Sequence, residues 1–160
     1  MQRENVMAVL TDPLAQELLR SPLVAHLGYS GTDGAPRVVP VGYVWDGSTF
    51  VVCTAVQAPK VRALTPHTKV ALSIDTATQP PRVLLVRGTA TVEIVDGVPD
   101  EFLEASGKSL PPEQRPQFEA QARSIYPQMA RITIEPDWAK ILDFETRLPV
   151  AVEWLVTDKP

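Results

Sequence analysis

The residues best suited to chemistry cluster in Thr54-Ala55-Val56-Gln57-Ala58-Pro59-Lys60-Val61-Arg62. A strand ends there in a hydroxyl, a short loop follows, and a helix opens with Lys60 and Arg62 in its first turn. Free amides and the dipole at a helix start attract anions. Cations are disfavoured at that end, so two of them suggest a bound phosphate that relieves the conflict. The alternative is a solvated Lys/Arg pair on a surface turn, and the sequence leaves both open.

A second feature lies upstream. Val38, Val39, Val41, Tyr43, Val44 and Trp45 make both faces of one strand apolar, as in a central strand, yet Pro40 cannot donate to a ladder. An edge strand carrying a bulge is the favoured reading. In the competing one, the stretch borders a ligand.

Other chemistries lack support. His26 and His67 are far apart, with no cysteine pair or HExxH spacing, so no metal site is expected. Ser30 and Ser73 have no GxSxG context. Asp75, Asp96, Asp143 and Glu145 form no recognisable acid–base pair, and Cys53 reads as a small core residue. Trp138 and Trp154 read as packing residues, with a pocket or interface as the alternative. GxGxxG and Walker loops are absent.

The elements that must position these groups follow from periodicity. Thr11-Asp12-Pro13 caps a helix that ends near Ser21-Pro22. Strands are expected over 23–30, 37–45, 49–55 and 69–75, with turns at 31–34 and at Asp46-Gly47. A short helix is expected over 59–64. In 82–95, Leu84, Val86, Gly88, Ala90, Val92 and Ile94 alternate with Arg87, Thr89, Thr91 and Glu93. That is a long, half-buried strand, and Gly88 lets it bend, which suits a small closed barrel. Helical spacing covers 100–126 with a break at Pro111-Pro112. Late strands are expected over 130–134 and 139–144, with a bulge or corner at Pro136.

Bulk properties fit one domain spanning residues 1–160. The chain is 44% hydrophobic and 21% charged, with a net charge of −4, which argues against nucleic-acid or acidic-membrane partners. Cys53 is the sole cysteine, so a reducing compartment is expected, with the cytoplasm as default. No secretory signal is seen, and no apolar run approaches the roughly 20 residues of a membrane span.

Taken in order, GTDGAPRVVPVGYVWDG, FVVCTAVQAPKVRAL, KVALSID and RVLLVRGTATVEIV resemble the pyridoxamine 5′-phosphate oxidase-like flavin-binding split-barrel superfamily. The likeness runs over 10–95 and more loosely to 144. It implies a mainly β, α+β fold: a six-stranded antiparallel split β-barrel of Greek-key type with flanking helices. It implies a homodimer with the cofactor in the cleft between two barrels. Val38, Val39, Pro40 and Val41 would then line the ring system. Thr54, Lys60 and Arg62 would hold the phosphate, Pro59 and Val61 would flank it, and Arg87 would reach the site, across the dimer in one arrangement. The implied cofactor is FMN, with the deazaflavin coenzyme F420 as the alternative. The implied function is an oxidoreductase acting on a small molecule. A non-catalytic protein that binds or stores a flavin, haem or deazaflavin is the second reading, and a structural dimer without ligand the third. The family's C-terminal arginine-rich substrate signature has only a partial echo in Glu145-Thr146-Arg147-Leu148-Pro149, so vitamin oxidation is not implied. No catalytic acid or base is named.

Overall fold

A computed structural model describes residues 1–157. Helices α1 (Arg3–Leu10) and α2 (Pro13–Arg20) come first. Asp12 caps α2 through a bond from the Leu14 amide, and Pro13 occupies its first turn, as the sequence predicts. Helix α1 is an element the sequence reading lacks. Strands β1 (Ala25–Ser30), β2 (Pro36–Val41), β3 (Val44–Trp45) and β4 (Phe50–Ala55) follow, then α3 (Pro59–Leu64), β5 (Lys69–Asp75) and β6 (Arg82–Asp96). Helices α4 (Asp100–Gly107) and α5 (Arg115–Ile125) flank a 3-10 turn at Pro112–Gln114, and β7 (Gln128–Asp143) and α6 (Val150–Thr157) complete the described chain.

All strand pairings are antiparallel, in one seven-stranded sheet ordered β2-β1-β5-β6-β7-β4-β3. This corrects the expected six-stranded barrel. Gly42 and Tyr43 interrupt the strand expected over 37–45, leaving β2 and β3 as the two edges of an open sheet. Only those two residues separate the edges in sequence, so the sheet must curl to bring them together. No ladder joins β2 to β3 among the described residues. The two late strands also fuse into one 16-residue strand, β7. The expected irregularity at Pro136 is present: the β6–β7 register shifts between Arg87, opposite Trp138, and Gly88, opposite Pro136. Here a Cβ on Gly88 would stand 2.4 Å from the Glu135 carbonyl oxygen, so only glycine lets the strands approach.

The concave side of the sheet holds the main core. Leu27, Val41, Phe50, Val52, Leu72, Ile74, Leu84, Val86, Ile132 and Ile134 form one cluster with Val6, Leu10, Leu18 and Leu19 of the first two helices. Each such side chain contributes about 1.5–3 kcal/mol on leaving water. Val98, Ala122 and Met129 form a second cluster with Cys53, Phe102, Leu103 and Tyr126, so α4 and α5 cover the outer side of β4 and the start of β7. No helix among the described residues is long and apolar enough to cross a membrane.

Candidate functional site

The loop after β4 and the start of α3 line a cavity of about 730 Å³. Pro59 stands in the first turn of α3 with its fixed φ, and Ala58 at the N-cap offers no capping side chain. Because α3 has six residues, its dipole is small, and attraction for an anion must come from side chains. Gln57, Pro59, Val61, Arg62 and Thr65 line the cavity, with Thr32 of the β1–β2 turn on its rim. Arg62 is exposed and has no acid partner among the described residues.

Lys60 is half-buried, and burial holds its ammonium below the ordinary lysine range. It forms no hydrogen bond or ion pair among the described residues. A desolvated cation lacking a counter-ion costs free energy that a bound anion would recover. Thr54, next to last in β4, lies opposite Ala130, half-buried and without a side-chain hydrogen bond. The donors that line the cavity, the Arg62 guanidinium, the Gln57 amide and the Thr32 and Thr65 hydroxyls, fit a phosphate group.

Strand β2 is an edge strand, and Pro40 pairs with His26 in an unbroken register to β1. The favoured reading therefore holds for the edge and fails for the bulge. Val41 is buried and Val39 packs against the core, whereas Val38 points outward with 69% of its surface exposed.

The ten residues marked in the sequence do not share one cavity within the chain. Pro59, Val61 and Arg62 meet in the α3 cavity. Val38 and Arg87 meet in a groove on the outer side of the sheet. Val39 and Val41 turn inward, and Pro40, Thr54 and Lys60 line neither opening. Arg87 lies with its guanidinium 4.4 Å from the centre of the Trp138 ring, and Trp138 lines the same groove, so the structure places it as in the pocket alternative and outside the core clusters. The Trp154 side chain lies outside the described residues.

Sequence reasoning missed one grouping beside the groove, in which His26 and Ser73 line it and Asp75 stands behind them. His26 Nδ1 stands 3.7 Å from Asp75 Oδ1, and the Ser73 hydroxyl donates to the same oxygen at 3.2 Å. Register explains the grouping, because His26 pairs with Ser73 across β1 and β5, while spacing along the chain carries no such signal. Cys53 is no nucleophile at neutral pH: burial, then the Glu101 carboxylate, pushes its thiol up to about 11 against the pull of Arg131. No cluster of three or more metal-ligating side chains occurs among the described residues.

Residues 11–138 match the family model described as pyridoxamine 5′-phosphate oxidase. An F420 reductase is 25% identical, with a TM-score of 0.58 over 78% of this chain and 94% of that one. A conserved hypothetical protein from Mycobacterium tuberculosis is 16% identical, with a TM-score of 0.59 over 93% of this chain and 89% of that one. The haem storage protein HutZ from Vibrio cholerae is 13% identical, with a TM-score of 0.59 over 82% and 93%. The last two show the fold alone. No curated protein matches the chain. With the family model spanning most of the sequence, the chain belongs to the pyridoxamine 5′-phosphate oxidase-like split-barrel family.

Proposed function

We propose that the chain is an oxidoreductase that binds a phosphorylated flavin-type cofactor, FMN or coenzyme F420, and acts on a small molecule. Lys60 is the observation that carries this reading: a half-buried cation without a counter-ion, in the first turn of the helix whose Arg62 lines the cavity. Lys60, Arg62 and Thr54 hold the phosphate, Pro59 and Val61 shape its surroundings, and the Val38–Val41 edge lines the ring. Such a cofactor supplies hydride transfer when bound, while the protein contributes binding, orientation and exclusion of water. The F420 reductase among the similar structures supports a deazaflavin as much as FMN.

A second copy of the chain completes the site in this reading. The outward Val38 side chain and the unpaired edge of β2 support a homodimer. The lone cysteine suits a cytoplasmic setting.

Absorbance titration of the purified protein with each cofactor tests the assignment. Lys60→Ala should weaken binding by about 1.5–3 kcal/mol, as for a charge-assisted hydrogen bond. Unchanged affinity would remove the site. The second reading, a binding or storage protein without turnover, is favoured by the α3 cavity, whose described lining offers no carboxylate, histidine or thiol for proton transfer. The haem storage protein among the similar folds belongs with it. A tight complex that no nicotinamide donor reduces would select that reading.

A further inference from the structure

His26 stands on the outer side of β1, and register brings two more polar side chains to it. Ser73 lies directly across the ladder on β5, and Asp75 follows two residues on, on the same side of the strand. The Ser73 hydroxyl donates to Asp75 Oδ1 at 3.2 Å, and the same oxygen stands 3.7 Å from His26 Nδ1. A carboxylate beside Nδ1 keeps a proton on that nitrogen and leaves Nε2 as the atom that exchanges one. Nε2 has no hydrogen-bond partner among the described residues. Stability does not account for the grouping: the pair is 48% and 41% exposed, and ion pairs in solvent contribute little.

The position of His26 gives the grouping a use. On its other flank His26 pairs with Pro40 of β2, and both residues are exposed on the outer side of the sheet. Residues directly opposite each other in a ladder have Cβ atoms about 4.5–5.5 Å apart. Val38, two residues before Pro40, points to the same side and borders the same depression as His26. The functional reading above lays the cofactor ring along Val38–Val41. His26 is then a proton-bearing side chain one strand away from that ring. The described lining of the α3 cavity offers no such group.

We propose that His26 is the catalytic acid of this oxidoreductase, that Asp75 positions it, and that the acceptor is a conjugated carbonyl compound such as a quinone. The proposal rests on the functional reading above. A quinone that takes a hydride is left with negative charge on a carbonyl oxygen. His26 donates its Nε2 proton to that oxygen: the N–H bond breaks, an O–H bond forms, and the imidazolium becomes a neutral imidazole whose Nδ1 proton faces Asp75. The quinone gains two electrons, which the reduced cofactor loses, and Nε2 recovers its proton from solvent. Ser73 holds the carboxylate and the carboxylate holds the ring, so the acid is in place before the acceptor arrives.

The test uses the intact chain, loaded with FMN or F420 and chemically reduced, with menadione as the acceptor in stopped flow. His26→Gln should lower the limiting rate of menadione reduction by roughly a hundredfold, the scale of general-acid catalysis, and leave the half-saturating concentration nearly unchanged. Asp75→Asn should lower the same rate by a smaller factor. His26→Ala should regain activity when imidazole is added to the buffer, a rescue that a merely structural histidine does not give. A second readout needs no turnover: carbethoxylation followed by mass spectrometry, with His67, the other histidine of the chain, as internal control. Bound cofactor should shield His26 while His67 reacts as before. An unchanged limiting rate in His26→Gln, a loss confined to half-saturation, failure of imidazole to rescue, or a loaded chain that does not reduce menadione would each overturn the assignment. Cofactor uptake without shielding of His26 sinks this inference alone. Absence of uptake sinks the functional reading, and this inference with it.

Discussion

Lys108 Nζ lies 4.0 Å from the centre of the Tyr43 ring and donates to the Tyr43 carbonyl at 2.8 Å. The same ammonium donates to the Leu19 carbonyl at 3.2 Å. Tyr43 sits in the two-residue gap between β2 and β3, where no ladder closes the sheet, so one lysine from the end of α4 ties the seam to α2. Replacing it with methionine keeps the apolar stem and strands two carbonyls. Lys108→Met should lower stability by about 1–2 kcal/mol, read from the urea midpoint at unchanged slope. A shift below a few tenths would mean that water replaces the ammonium.

Gly88 sets the crossing of the two longest strands. With the Glu135 carbonyl oxygen 2.4 Å from its would-be Cβ and the Ile134 side chain at 3.0 Å, Gly88→Ala must push β7 away at the bulge. Backbone is the obstacle, so no rotamer change relieves it. The expected cost is about 1–3 kcal/mol by chemical denaturation. Ala90, two residues on and equally buried, tolerates its own methyl and makes the natural control position.

Much of this fold was legible because the relevant signals are local. The bounds of α3 and β5 follow from Pro59 and from the alternation of Val70, Leu72 and Ile74. The length of β6 follows from its period of two. Helix α1 escaped because Arg3–Leu10 opens without a capping side chain, and only Val6 and Leu10 are buried. The division at Gly42-Tyr43 escaped because Tyr43 and Val44 continue an apolar run; the buried Tyr43 ring is fixed by Lys108, 65 residues away. The pairing of Arg87 with Trp138 and of His26 with Ser73 depends on register across strands, which no single segment encodes.

Asp46 fixes the turn between β3 and β4. It accepts from the Ser48 amide and hydroxyl at 2.8 and 2.9 Å and from the Thr49 amide and hydroxyl at 2.7 and 2.9 Å. Burial raises its pKa, but the bonds from Thr49 and Ser48 outweigh it and hold the carboxyl below its ordinary value. A carboxyl depressed in the folded state adds stability above its unfolded pKa and loses it as pH falls through the folded value. Asp46→Asn should therefore destabilise the protein at neutral pH by roughly 1 kcal/mol and flatten the acid limb below about pH 4. Parallel acid limbs in the parent and the variant, followed by circular dichroism, would assign the acid sensitivity to Asp12, Asp33 and Asp143, which are depressed as well.

Lys60 separates stability from binding. Burial alone lowers its pKa, and no carboxylate answers it, so the cofactor-free chain carries the cost of a partly desolvated charge. The unfolded chain binds this proton more tightly, and stability should rise with pH from the folded pKa toward the ordinary lysine value. Lys60→Met removes both the cost and the pH dependence. Without cofactor, the variant should be more stable than the parent by roughly 0.5 kcal/mol, a small gain because solvent screens a half-exposed group. With cofactor in excess the order should reverse, since ligand stabilisation grows with affinity and the variant has lost its anion contact. Thermal melts with and without FMN and F420 check both halves. A variant less stable than the parent in each condition would make Lys60 a packing residue whose stem supports α3, and the phosphate would have to be held by Arg62 alone.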